Sequence, residues 1–219
     1  NIIEKCNSSI IDVVDSVSKF FSASILSLTK EDYRKMKKVI HRIEELNQQS
    51  KELKYNIYPV LKKLEEDSID TGPYYVQVLD YIREIAHCLR FIADPIYEYL
   101  DNNHPPLLPE QVKDLHQMDE SISIFFDDIQ KIIKKKHYKE LDKLIDRQHS
   151  ILDLLARMKK KQIKFIKSEL VGTRNTLLYL NLLSETKNLV LYAINMVKSH
   201  RDFLLSERLA NKQKLIKTI

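Results

Sequence analysis

Three side chains in the first half of the chain have the types and spacing for metal or acid–base chemistry. Asp80, Glu84 and His87 lie four and three residues apart. On a helix that spacing stacks them on one face, where two carboxylates and an imidazole can point at one ion. Glu84-Ile-Ala-His87 also has the Glu-x-x-His form with which di-iron four-helix bundles hold their metals. A di-iron site needs a second such pair and two more carboxylates, and Asp146-Arg-Gln-His149 is the nearest candidate. The alternative is an exposed polar helix face that carries a histidine.

The second half gives two further signals. Between Thr176 and Val197 only Glu185 and Lys187 are charged. Glu185 interrupts the apolar line Leu178, Leu182, Leu189, Tyr192, Met196, and Asn181 stands on a neighbouring line with Ser184, Asn188 and Asn195. A buried carboxylate needs a cation, a metal or several donors. Lys187 or a basic side chain from another helix would serve. Arg157, Lys160, Lys161, Lys164 and Lys167 fall on one side of their helix. Such a stripe is either solvated or set against a partner or anionic lipid headgroups. Walker A, G-x-G-x-x-G, H-E-x-x-H and nucleophile-elbow sequences are all missing, so no enzyme is expected.

The elements that must position these groups follow from the period of the apolar residues. A first amphipathic segment runs from about Glu4 to Leu28, and Thr29-Lys-Glu-Asp32 resembles a capping box with Thr29 as N-cap. A second segment continues to about Glu66 on a stripe from Tyr33 and Met36 through Ile57 and Val60 to Leu64. That makes a rod of about 50 Å, which Pro59 should bend. Gly72-Pro73 opens a third segment, kinked at Pro95, and Asp101 to Pro109 is the one convincing linker. A fourth segment runs from Pro109 to about Lys136. The fifth spans about Tyr138 to Leu170 on Leu141, Leu144, Ile151, Leu155, Met158 and Ile166. Gly172 breaks it, and the sixth runs from about Thr173 past Arg201. With so few charges, the sixth is expected to be the most buried helix.

Composition narrows the class. Only 2 glycines and 6 prolines punctuate 219 residues, so few chain reversals are encoded. Apolar residues make up 43%, enough for a real core. No apolar run is long enough to span a bilayer, and no signal-peptide layout opens the chain. Cys6 and Cys88 lack metal-type spacing and fit reduced intracellular thiols. A net charge of +5 without any recognisable module argues against nucleic acid as a partner. The two glycines lie about a hundred residues apart, and Gln48-Gln49-Ser50 and Gln148-His149-Ser150 share that offset. This points to internal duplication. The expected fold is all-α: two tandem antiparallel three-helix bundles, over residues 1–103 and 104–219.

The twofold pattern, with a polar cluster early in each third helix, resembles PhoU. The runs Ile43-Glu-Glu-Leu-Asn through Lys51-Glu-Leu-Lys-Tyr55, Tyr74 to His87 and Gly172 to Asn188 are similar to the C-terminal cytoplasmic region of bacterial sodium/phosphate cotransporters. The resemblance implies a Glu/Asp-x-x-x-Asp motif on each third helix that can hold a divalent or iron-type metal. The matching positions are Asp80 with Glu84, and Asn181 with Glu185, where asparagine replaces one carboxylate. It further implies a transporter domain before Asn1, a place at the cytoplasmic side of the inner membrane, and room for a homo-oligomer. The implied function is regulation of sodium-dependent phosphate uptake by protein–protein contact. A free-standing phosphate-signalling adaptor and a di-metal helical-bundle oxidase are the competing readings.

Overall fold

The computed structural model describes residues 2–63 and 66–218. Among these residues six long α-helices and one short one make the fold: α1 (Ile2–Thr29), α2 (Tyr33–Tyr55), α3 (Tyr58–Leu61), α4 (Gly72–Asp101), α5 (Pro109–Lys135), α6 (Leu141–Lys167) and α7 (Thr173–Thr218). No strand occurs among the described residues, and no helix there is long and apolar enough to cross a membrane. Helices α1, α2 and α4 pack on one another as one three-helix unit. In the second unit α6 lies against both α5 and α7. The units meet along two seams, α1 on α5 and α4 on α7, and the α4–α7 pairing is the most extensive in the molecule. One apolar core therefore runs from Cys6 and Ile10 in α1 to Phe203 and Leu204 in α7.

Two boundaries differ from the sequence reading. The second segment is broken rather than bent. A proline ring clashes with the carbonyl four residues back and offers no N–H. For Pro59 that carbonyl belongs to Tyr55, where α2 stops. Asn56 caps α2, and Pro59 falls in the first turn of α3, where its missing N–H costs nothing. Leu64, the last position of the expected stripe, lies outside the described residues. The N-cap of α2 is Asp32 rather than Thr29, its carboxylate accepting from the Lys35 N–H at 2.9 Å. Thr29 is still the last residue of α1.

Few glycines force an unusual way of ending helices. After α1, Asp32 N–H reaches the Ser27 carbonyl at 2.8 Å and Glu31 N–H reaches Leu28, with Glu31 at φ 54°. The same pair of bonds closes α4 around Asn103 and α6 around Glu169, at φ 52° and 55°. These are Schellman closures with a side chain where glycine is usual. The left-handed backbone costs roughly 1 kcal/mol at each.

The core also holds polar groups, and two sets of them join helices. Gln111 of α5 is fully buried. Its amide donates to Gln162 at 2.8 Å and Asn175 at 2.9 Å, and accepts from the Asn175 amide at 3.0 Å and from the Leu108 N–H at 2.9 Å. This knot ties the start of α5 to the end of α6 and the start of α7. At the other end of the bundle His200 is fully buried between Tyr138 and Asn7. Burial, and secondarily the Lys136 ammonium, push its pKa down to about 4. The ring is thus neutral: the Tyr138 hydroxyl donates to Nδ1 and Nε2–H donates to Asn7.

Gln111→Leu strands the amides of Gln162 and Asn175 and the Leu108 N–H, and should lower stability by about 2–4 kcal/mol. Urea unfolding measures this, and a loss below about 0.5 kcal/mol would show that the knot is not holding α5 to α6 and α7. His200 predicts a pH dependence. Its folded pKa lies below the unfolded value of 6.5, so between the two only the unfolded chain takes up the proton. Its contribution is complete above about pH 6.5 and shrinks as pH falls toward 4, by about 3 kcal/mol in all. Unfolding at pH 7 and pH 4.5 should show a drop in the native chain that is smaller by about 2 kcal/mol in His200→Gln. Equal drops would contradict the neutral buried ring.

Candidate functional site

The seam between α4 and α7 gathers most of the residues singled out for chemistry. On α4 the apolar stripe of Val78, Leu79, Ile82, Ile85, Ala86 and Leu89 is buried. That leaves Asp80, Glu84 and His87 half-buried on a common flank, as their spacing requires. Each then finds its own neighbour. Lys54 of α2 places its ammonium 2.9 Å from Asp80 Oδ1, and this contact raises the lysine pKa. Glu84 Oε2 lies 3.9 Å from His87 Nδ1. Burial, then the nearby Arg83, push the His87 pKa down despite that carboxylate. Arg83 turns from its acidic neighbours to the Asn47 carbonyl at 2.7 Å and Ser50 Oγ at 3.1 Å.

Across the seam, Glu185 and Asn181 of α7 do different work from a ligand pair. Glu185 sits beside the buried Cys88 thiol of α4. Burial first, then the Glu185 and Glu84 carboxylates, push that thiol up to about 12. Cys88 is therefore a protonated, unreactive group. Asn181 Nδ2 donates at 3.0 Å to the carbonyl of Phe91. Phe91 is four residues before Pro95, so its carbonyl receives no helical N–H. Helix α4 continues through Pro95 to Asp101, and a side chain of the facing helix completes the bond. A carboxylate at 181 would set oxygen against oxygen here, which gives a reason for asparagine at this position.

The donor set does not fit a metal ion. Among the described residues no three His, Cys, Asp or Glu side chains converge. Asp80 would have to leave Lys54, and Asn181 would have to leave Phe91. The Asp146 and His149 pair of the oxidase reading does not join them: it lies on α6, with His149 exposed. Of the basic stripe, Arg157, Lys160, Lys164 and Lys167 are exposed. Lys161 instead reaches back to Asp114 of α5, 3.0 Å from Oδ2 and 3.2 Å from Oδ1, where the carboxylate is almost fully buried. The sequence reading missed Asn47, Gln111, Gln162 and His200. All four had a visible signal: Asn47, Gln111, Gln162 and His200 occupy positions where the apolar period of their helices calls for a core residue.

No protein-family model matches the chain, and no curated protein matches its sequence. Among solved structures it is similar to the phosphate transport system regulatory protein PhoU from Streptococcus pneumoniae, with a TM-score of 0.75. The match covers 92% of this chain and 94% of that one at 16% sequence identity, a likeness of fold.

The bond from Asn181 to the Phe91 carbonyl can be isolated by a double-mutant cycle. Asn181→Ala should cost about 1 kcal/mol in the native background. In a Pro95→Ala background, where an N–H returns to Phe91, it should cost far less. Coupling measured by urea unfolding should be near 1 kcal/mol, and additivity within about 0.3 kcal/mol would mean that Asn181 does not serve the proline break.

Proposed function

We propose that this chain is a regulatory domain of phosphate transport that acts by contact and not by turnover. The observation that carries this reading is the six-helix likeness, over 92% of the chain, to a phosphate transport system regulatory protein. The seam between α4 and α7 is in keeping with it. Its carboxylates face Lys54, His87 and a protonated thiol, so no group is poised as a general base or nucleophile. Residues in α2, α4 and α7 that resemble the tail of sodium/phosphate cotransporters favour a domain tethered at the cytoplasmic side of a sodium-dependent transporter. A free-standing phosphate-signalling adaptor is the second reading, in keeping with the same likeness of fold to a phosphate transport system regulatory protein.

The test is radiolabelled phosphate uptake in cells that carry the native gene with or without the segment encoding this chain, in phosphate-rich and phosphate-poor medium. Regulation predicts that removal changes the ratio of uptake between the two media by severalfold while transporter abundance stays constant. Identical uptake and identical response to phosphate would remove the regulatory reading.

A further inference from the structure

The end of the molecule where α6 turns into α7 carries a charge and an apolar surface that the fold does not use. Residues 157–177 contain two arginines, five lysines and one acid, Glu169, a net charge of +6 against +5 for the whole chain. All excess positive charge is therefore concentrated in this one segment. Only Lys161 of these cations is bound to an acidic partner among the described residues, through Asp114.

Beside the charges stand large apolar side chains in water. Ile163 is 40% exposed, Ile166 37%, Leu170 58% and Leu177 59%. Ile166 was expected in the core from its period. At 100° per residue, the buried line Ile151, Leu155, Met158, Gln162 marks the inner side of α6. Ile163 then falls on the outer flank, beside Lys160 and Lys167, while Ile166 lies at the edge of the inner side, where the last turn of α6 leaves it partly in water. The closure at Glu169 ends the helix and carries Leu170 out past the last turn. An apolar strip thus runs alongside a basic stripe and continues over the tip of the molecule.

We infer that this tip is an interfacial docking surface for an anionic lipid bilayer, with the lysines at the headgroups and Ile163, Ile166 and Leu170 entering the acyl boundary. The composition selects this occupant. Protein–protein interfaces are enriched in arginine and aromatic residues and depleted in lysine. Here lysines outnumber arginines five to two and no aromatic residue is among the exposed apolar ones. Bilayers with anionic lipid, in contrast, attract clustered lysines without regard to geometry, and amphipathic helical surfaces bind them by burying apolar side chains between those charges. The inference rests on charge and exposure alone and stands whether or not the phosphate reading does.

The purified 219-residue chain supplies the test. It contains no tryptophan, so Leu170→Trp adds a single fluorescent reporter at the tip. Cosedimentation is measured with phosphatidylcholine vesicles alone and with vesicles containing phosphatidylglycerol, at low and high salt. Binding should need the anionic lipid and weaken at high salt, and the emission of the Leu170→Trp reporter should shift to the blue on binding. Lys160→Glu/Lys164→Glu/Lys167→Glu should reduce affinity at least tenfold, and Ile163→Ser/Leu170→Ser severalfold, with unchanged circular dichroism and melting temperature. Absence of binding, equal binding by the charge-reversed chain, or an unshifted reporter would each overturn the inference. Binding to soluble polyglutamate but not to anionic vesicles would also overturn it, in favour of an acidic protein partner.

Discussion

Helix α7 presents apolar side chains on more sides than its own unit can cover. Leu178, Leu182, Leu189, Ala193 and Met196 are buried, and so are Tyr179, Leu183, Val190, Ile194 and Val197. At about 1.5–3 kcal/mol for each large side chain removed from water, leaving half of that surface exposed would outweigh the net stability of a typical domain. Helix α6 covers one side, and α4 of the other unit covers another. The two halves are thus not independently packed bundles joined by a linker. Each depends on the other for the burial of its third helix.

Close packing of two long apolar helices sets terms for every polar group at their boundary. A proline in α4 leaves one carbonyl without its helical partner, and a facing asparagine supplies the donor. A buried thiol next to two carboxylates stays protonated. Where α4 meets α2 instead, Arg83 is satisfied by the Asn47 carbonyl and the Ser50 hydroxyl. These arrangements use the same residue types that a metal or acid–base site would use, but direct each one to a neighbour within the fold. At the tip of the α6–α7 hairpin, by contrast, charge and apolar surface are left in solvent at Lys164, Lys167, Ile163 and Leu170.

Much of the architecture was legible in the residues because helices write their period into the chain. The stripe Val76, Leu79, Ile82, Ala86, Leu89, Ala93, Ile96 located α4 and its buried side, and all but Val76 are buried. Asp80, Glu84 and His87 were correctly placed on one face for the same reason. The break at Pro59 was harder to see, since a proline within a good apolar period can bend, break or simply be tolerated. Asn181 could not be interpreted from its own helix at all. Its partner carbonyl is 90 residues away, and only the alignment of α4 against α7 brings the two together.

Composition and period by themselves determined an all-helical chain of six long segments, turned at Gly72, the Pro105 region and Gly172, with two glycines too few for any other class. They did so because helical periodicity and the scarcity of turn residues are local properties of the chain. Which helices meet was decided only in three dimensions. Apolar stripes specify that a face is buried but not against what, so the α4–α7 seam, the meeting of Gln111 with Gln162 and Asn175 and the pairing of Lys161 with Asp114 had no local signature. For the same reason Ile166, in register with a core stripe, ended 37% exposed in the last turn of α6.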